Sequence, residues 1–158
     1  MTKVKTKTTK VSPLKEVKTL MAQMLKLMEV KSQLEVKKED EVIKVGLSSD
    51  QPAGLIGYHG ETLNSMQLLV NLMLWRKTGD WQSVVLDVDG YREKRKDLLE
   101  QMARNVAQKV KFSGQAETLP PMSAFERRLV HLALSDDKEI ETISEGEEER
   151  RVVVRPKS

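Results

Sequence analysis

Two glycines three residues apart constrain this chain more than any other feature. They bracket Tyr58-His59 in the stretch Gly54-Leu55-Ile56-Gly57-Tyr58-His59-Gly60. Pro52 opens a short segment before them, and an apolar-rich segment follows them to Lys77 and closes at Gly79. The pattern predicts a short helix over 52–56, a turn over 57–60 and a long helix over 61–77. Glycine at both ends of the turn lets backbone approach a ligand without obstruction from a Cβ. The helix after Gly60 directs free N–H groups and the positive end of its dipole into the same space, which suits phosphate. Together these features can clamp a sugar–phosphate backbone while an adjacent apolar groove takes unstacked bases. A lone G-x-x-G is a weak signal, so its weight depends on the elements around it.

Those elements can be read in both directions. Ser12-Pro13 reads as an N-cap and first helical position. Leu14, Val17, Met21, Met24, Leu25 and Met28 then recur at spacings of three and four, marking one buried helix face. Residues 33–38 and 41–47 alternate, with Leu34/Val36 and Val42/Val45 suggesting an antiparallel hairpin with one buried face. The long helix is apolar on more than one side (Leu63, Met66, Leu69, Val70 and Met73, but also Leu68 and Leu72), which predicts a central helix covered by sheet and neighbour. Residues 83–89 read as a strand with Val84, Leu86 and Val88 on one face and Asp87 and Asp89 on the other. The order is helix–strand–strand–helix–helix–strand.

A second set of elements follows. Residues 91–112 form a long helix burying Leu98 or Leu99, Met102, Val106 and Val110, ended by Gly114. Residues 116–119 read as a short strand and Pro120-Pro121 as a break. Ser123-Ala124-Phe125-Glu126 is a capping box, starting a helix that runs to about Leu134. Residues 139–144 and 151–155 make a closing hairpin with an acidic tip at 145–149, and Val152 and Val154 point inward.

Composition removes several classes of chemistry. The cysteine count is zero, which excludes disulfides, zinc–thiolate sites, iron–sulfur clusters and a cysteine nucleophile. The two histidines, His59 and His131, are far apart, and no P-loop occurs. Asp87 and Asp89 lack a nucleophile or third ligand, so metal catalysis has little support. The reading is a non-enzymatic protein without cofactor or metal. No run reaches the roughly 20 apolar residues of a membrane helix, and no secretory signal follows the basic start. These absences lead to an expectation of a cytoplasmic protein that does not insert into membranes. The net charge is +3, but residues 1–18 hold six Lys and one Glu, leaving −2 on the remainder. Any basic surface on the folded part must therefore be local. Residues 1–11 alternate Lys, Thr and Val and read as a disordered arm, either a solubilising tail or a weak electrostatic arm.

Read together, GLIGYHGETLNSMQLLVNLM, VVLDVDGYREKRK, PMSAFERRLVHLAL and ETISEGEEERRVVVRP resemble the Jag (SpoIIIJ-associated) family over roughly residues 30 to 156. Such proteins join a type II KH domain to an R-3-H domain, named for an Arg and a His separated by three residues. Arg127 and His131 have that spacing. The resemblance implies an α+β fold, with a KH domain over 12–90 and a small α/β R-3-H domain over 91–158, following the arm that composition marks over 1–11. It implies binding of single-stranded nucleic acid, chiefly RNA and by the same chemistry single-stranded DNA, in the bacterial cytoplasm. It further implies a link to cell envelope growth and elongation, and pairing with a small single-KH protein. The chain departs from the family in two respects. Jag proteins usually carry a separate N-terminal domain, where this sequence shows only the Lys-rich arm and first helix. The middle residues of the loop are usually basic, whereas here they are Tyr58 and His59, so backbone amides must do more of the work.

The candidate binding residues are Ile56, Gly57, Tyr58, His59 and Gly60 in the loop, and Arg127 and His131 in the second domain. Tyr58 could stack on a base or merely cover the neighbouring helix. Arg127 and His131, four apart on one helix face, could grip a phosphate and donate a hydrogen bond, or serve packing. Arg92, Arg95 and Lys96 open a helix with seven basic and three acidic residues over 91–112. That run is either a solvated face or a wall of a nucleic-acid track. Arg151 and Arg155 share a strand face and could extend the patch. An alternative reading is a module for protein interaction or homodimerisation through the KH fold. A helix-turn-helix DNA reader ranks lower, because Glu61, Thr62 and Asn64 put no basic residue at the start of its recognition helix.

Overall fold

The computed structural model describes residues 12–157, so the arm over 1–11 lies outside the described residues. The described residues divide at Tyr91/Arg92 into two compact units. The first contains α1 (Pro13–Leu27), β1 (Gln33–Glu39), β2 (Val42–Ser48), α2 (Pro52–Ile56), a 3-10 turn (Tyr58–Gly60), α3 (Glu61–Thr78) and β3 (Ser83–Val88). This is the expected helix–strand–strand–helix–helix–strand order. β2 is central in the sheet, antiparallel to β1 and parallel to β3.

The core of this unit lies between the sheet and the helices. Val17, Leu20, Met21 and Leu25 of α1 meet Leu63, Met66, Val70 and Leu74 of α3, over Ile43, Val45 and Leu47 of β2 and Val84, Leu86 and Val88 of β3. Ser12 is the N-cap and Pro13 opens α1, as expected, although the Ser12 side chain makes no capping bond. Two expectations are corrected here. In β2 the inward set is Ile43, Val45 and Leu47, while Val42 is half-buried. In α1, Leu20 is fully buried whereas Met28 reaches the surface.

The largest correction concerns α3. Its Leu68, Leu69, Leu72 and Met73 are between 41% and 57% exposed. Only the side bearing Leu63, Met66, Val70 and Leu74 meets the sheet and α1. The apolar residues on the other side therefore face solvent instead of a second layer.

The second unit comprises α4 (Tyr91–Ser113, nearly all of it), β4 (Glu117–Thr118), α5 (Ala124–Leu134), β5 (Ile140–Glu145) and β6 (Arg151–Pro156). Its sheet is antiparallel in the order β4-β6-β5. Leu99, Ala103, Ala107 and Val110 of α4 pack with Val130 and Leu134 of α5 over Ile140, Val152 and Val154. Leu99 is the buried member of its pair and Leu98 is exposed. The capping box is present in full: Ser123 Oγ accepts from Glu126 N–H, and Glu126 Oε2 accepts from Ser123 N–H at 3.1 Å. No helix among the described residues is long and apolar enough to cross a membrane.

Candidate nucleic-acid interface

The loop between α2 and α3 depends on glycine at both ends, for different reasons. Gly57 adopts φ 71°, ψ −172°, a region essentially closed to residues with a Cβ. A Cβ there would lie 2.1 Å from Thr62 Oγ1 and 2.9 Å from the Thr62 backbone nitrogen. Gly60 sits at φ 86° in the left-handed region, and a Cβ there would meet the Tyr91 ring at 3.0 Å. The Gly57 N–H donates to Ala53 C=O at 2.8 Å, and the Gly60 N–H closes onto Gly57 C=O at 3.5 Å. Two loop amides, those of Gly57 and Gly60, are thus used inside the fold. Ile56 is half-buried and packs on the core, anchoring the approach to the loop. α3 starts directly from Gly60 with no side chain capping it.

Between the glycines, His59 adopts φ 49°, ψ 26°. This left-handed residue brings its imidazole onto the Tyr58 ring, with centroids 4.0 Å apart and planes 17° from parallel. Tyr58 is 67% exposed. The loop therefore presents a stacked aromatic pair where a basic pair is usual.

In the second unit the Arg and His of the four-residue spacing are both engaged internally. Arg127 Nη1 donates to Met122 C=O at 2.8 Å, tying α5 to the segment before it. His131 lies between two hydroxyls of β5, with Nδ1 2.7 Å from Thr142 Oγ1 and Nε2 2.8 Å from Ser144 Oγ. Burial, with the nearby Arg127 guanidinium second, holds its pKa below the ordinary 6.5. A neutral imidazole donates from one nitrogen and accepts at the other, which two hydroxyls can match. Both side chains are half-buried and help secure α5 to its surroundings.

The basic residues of α4 are mostly compensated. Arg95 is largely buried and pairs with Glu126 at 2.7 Å, so the carboxylate of the capping box also anchors α4. Lys96 and Arg104 flank Glu100 at 4.0 and 3.2 Å, Lys109 pairs with Glu117, and Lys111 bridges Asp137 and Glu139. Arg92 is half-buried. On β6, Arg151 pairs with Glu149 and Arg155 with its cross-strand neighbour Glu141 at 2.6 Å. Asp87 accepts from Gly90 N–H and Asp89 from Ser49 N–H, so these carboxylates shape the turn after β3.

Sequence reasoning missed several positioning residues. Thr62 and Tyr91 pack beneath the two loop glycines, and nothing in the linear pattern pairs them. Asn71 is buried inside α3 and bonds both the C=O and the N–H of Val84, at 3.2 and 2.9 Å, while Gln67 Oε1 accepts from Leu86 N–H. Polar residues at 67 and 71 on the buried stripe of an apolar helix were the available signal.

The chain matches the KH domain of KhpA and KhpB over residues 15–88 and the R-3-H domain over residues 97–156. It is 41% identical over 127 residues to RNA-binding protein KhpB of Clostridium symbiosum, covering 80% of this chain and 57% of that one. It is 32% identical over 147 residues to RNA-binding protein KhpB of Bacillus subtilis (strain 168), covering 92% and 71%. To the protein of that name from Lactiplantibacillus plantarum it is 40% identical over 100 residues, covering 63% and 31%. The chain therefore spans little more than half the length of the Clostridium relative. With both domains matched in order and the Bacillus relative covered over most of its length, this chain belongs to the KhpB (Jag) family.

Proposed function

We propose that this chain is a non-enzymatic regulatory protein that binds single-stranded RNA at the Gly57–Gly60 loop. The observation that carries the reading is the loop itself. Its backbone is held in a glycine-only conformation at the uncapped start of an 18-residue helix. The relatives above are named RNA-binding proteins, which agrees with it. Backbone N–H groups of Tyr58 and His59 and the dipole end of α3 hold one phosphate, and neighbouring nucleotides follow the loop. A cytoplasmic role linked to cell envelope growth, as the family resemblance implies, belongs to the same proposal. The test is crosslinking of single-stranded RNA to the Tyr58→Asp/His59→Asp double variant. Crosslinking disappears while the circular dichroism spectrum stays unchanged. Undiminished crosslinking would show that the loop is not the site.

A second reading, association with another copy or with a small single-KH protein, is favoured by one observation. Leu68, Leu69, Leu72, Met73 and Trp75 of α3 are all exposed, and Leu72 and Trp75 line a shallow depression with Arg76 and Gly79. Monomers rarely leave such an apolar face open. Leu68→Glu/Leu72→Glu then lowers the mass measured by light scattering from dimer to monomer. A wild-type chain that is monomeric alone, and with its partner, removes this reading.

A further inference from the structure

The loop holds two rings where charge would ordinarily sit, and the structure shows how they are arranged. The chain has few aromatic residues, only two Tyr and two His among 158. One of each occupies adjacent positions in this loop. The rings are stacked, with centroids 4.0 Å apart and planes 17° from parallel. Tyr58 is 67% exposed and His59 is half-buried, and neither ring belongs to the buried core. The stack exists because His59 takes a left-handed backbone conformation, which a residue with a Cβ adopts at some cost. That cost goes into an exposed surface. No hydrogen bond among the described residues holds the Tyr58 hydroxyl, and the exposed Tyr58 ring is the member of the pair that a ligand can reach.

We propose that the Tyr58–His59 pair is a stacking platform for one unpaired nucleobase, purine preferred over pyrimidine, set directly beside the phosphate held by the loop. A base added to the outer face of the pair continues a column already formed, so little ordering remains to be done on binding. A purine's two fused rings overlap the exposed Tyr58 face more than a pyrimidine's single ring does, and stacking distinguishes bases by that overlap without hydrogen-bond readout. The loop thereby gains through base contact what it lacks in charge. This inference rests on the RNA-binding reading and adds to it a specific ligand group, the face of one base.

The experiment uses the full chain and a single-stranded uridine octamer carrying one 2-aminopurine, whose fluorescence falls on stacking, moved through each position in turn. With the wild-type chain, one position is quenched on binding, and a purine there binds more tightly than uracil or an abasic site. Tyr58→Leu keeps apolar bulk without an aromatic face. It loses the position-specific quenching and weakens binding by about five- to 150-fold, the range measured for one stacked base. Its log–log salt slope stays that of the wild type, because no phosphate contact is removed. Tyr58→Phe restores the quenching that Tyr58→Leu loses. If the wild type binds but no position is quenched, or Tyr58→Leu binds equally well, the platform is overturned while RNA binding stands. A salt slope about 0.7 shallower in Tyr58→Leu also overturns it, since the contact would then be a phosphate. Equal binding of purine and uracil overturns the purine preference. Failure of the wild type to bind any single strand overturns both readings.

Discussion

His131 shows what a signature residue does once it is folded. Its two ring nitrogens face Thr142 and Ser144, and burial together with Arg127 depresses its pKa. The unfolded chain, with its histidine near 6.5, therefore takes up the proton first as pH falls. The contribution of His131 to stability is full above about pH 6.5 and is lost as pH drops through the lower folded value. Urea midpoints at pH 7.5 and 5.5 should show lower stability at 5.5, and the drop should shrink in His131→Gln. Asp137 does not confuse this window, because its pKa, lowered chiefly by the Lys111 hydrogen bond, lies below 3.8. Gly57 is the other decisive single residue. Gly57→Ala forces a Cβ into a conformation that costs about 1–3 kcal/mol and against Thr62 besides. Denaturant unfolding should show at least that loss, together with loss of RNA binding. The glycines could be read from sequence, since positive φ is a property of the residue type. The stack of Tyr58 on His59 could not, because it follows from a backbone angle set by the closed turn.

Among the elements, α3 carries the most consequences. β3 is an edge strand, and its outward Val84 and Leu86 backbone groups are capped by Asn71 and Gln67 from α3. An open edge would invite pairing with another chain. Asn71→Leu would strand the Val84 N–H and C=O, at about 1–3 kcal/mol for each group left unsatisfied. A comparable fall in the free energy of unfolding, with faster amide exchange at Val84, should result. The element order, the capping box at Ser123 and the inward residues of β3 and β6 were legible because they express local periodicity and local hydrogen bonding. The side of α3 left open was not. Apolar residues all round a helix predict two covering layers, and only the tertiary structure shows that, among the described residues, one side of α3 is left exposed.

For the whole molecule, charge is the relevant quantity. The net +3 comes from the first 18 residues, and the basic residues of α4 largely have carboxylate partners within their unit. Single-strand RNA binding should accordingly show a log–log salt slope of only roughly −2 to −3, as for about three or four phosphates. A duplex of equal length should bind more weakly, because its bases are not free to stack. Filter binding between 50 and 200 mM salt measures both. The sequence by itself determined the two sets of elements, the glycine-bounded loop and the family, because each depends on residue type and short spacing. The tertiary structure alone decided that Arg127 and His131 are used internally, that Arg95 is compensated by Glu126, and that one apolar face of α3 is open. These depend on which distant residues meet, and a partner 11 or 31 positions away leaves no periodic mark on the chain.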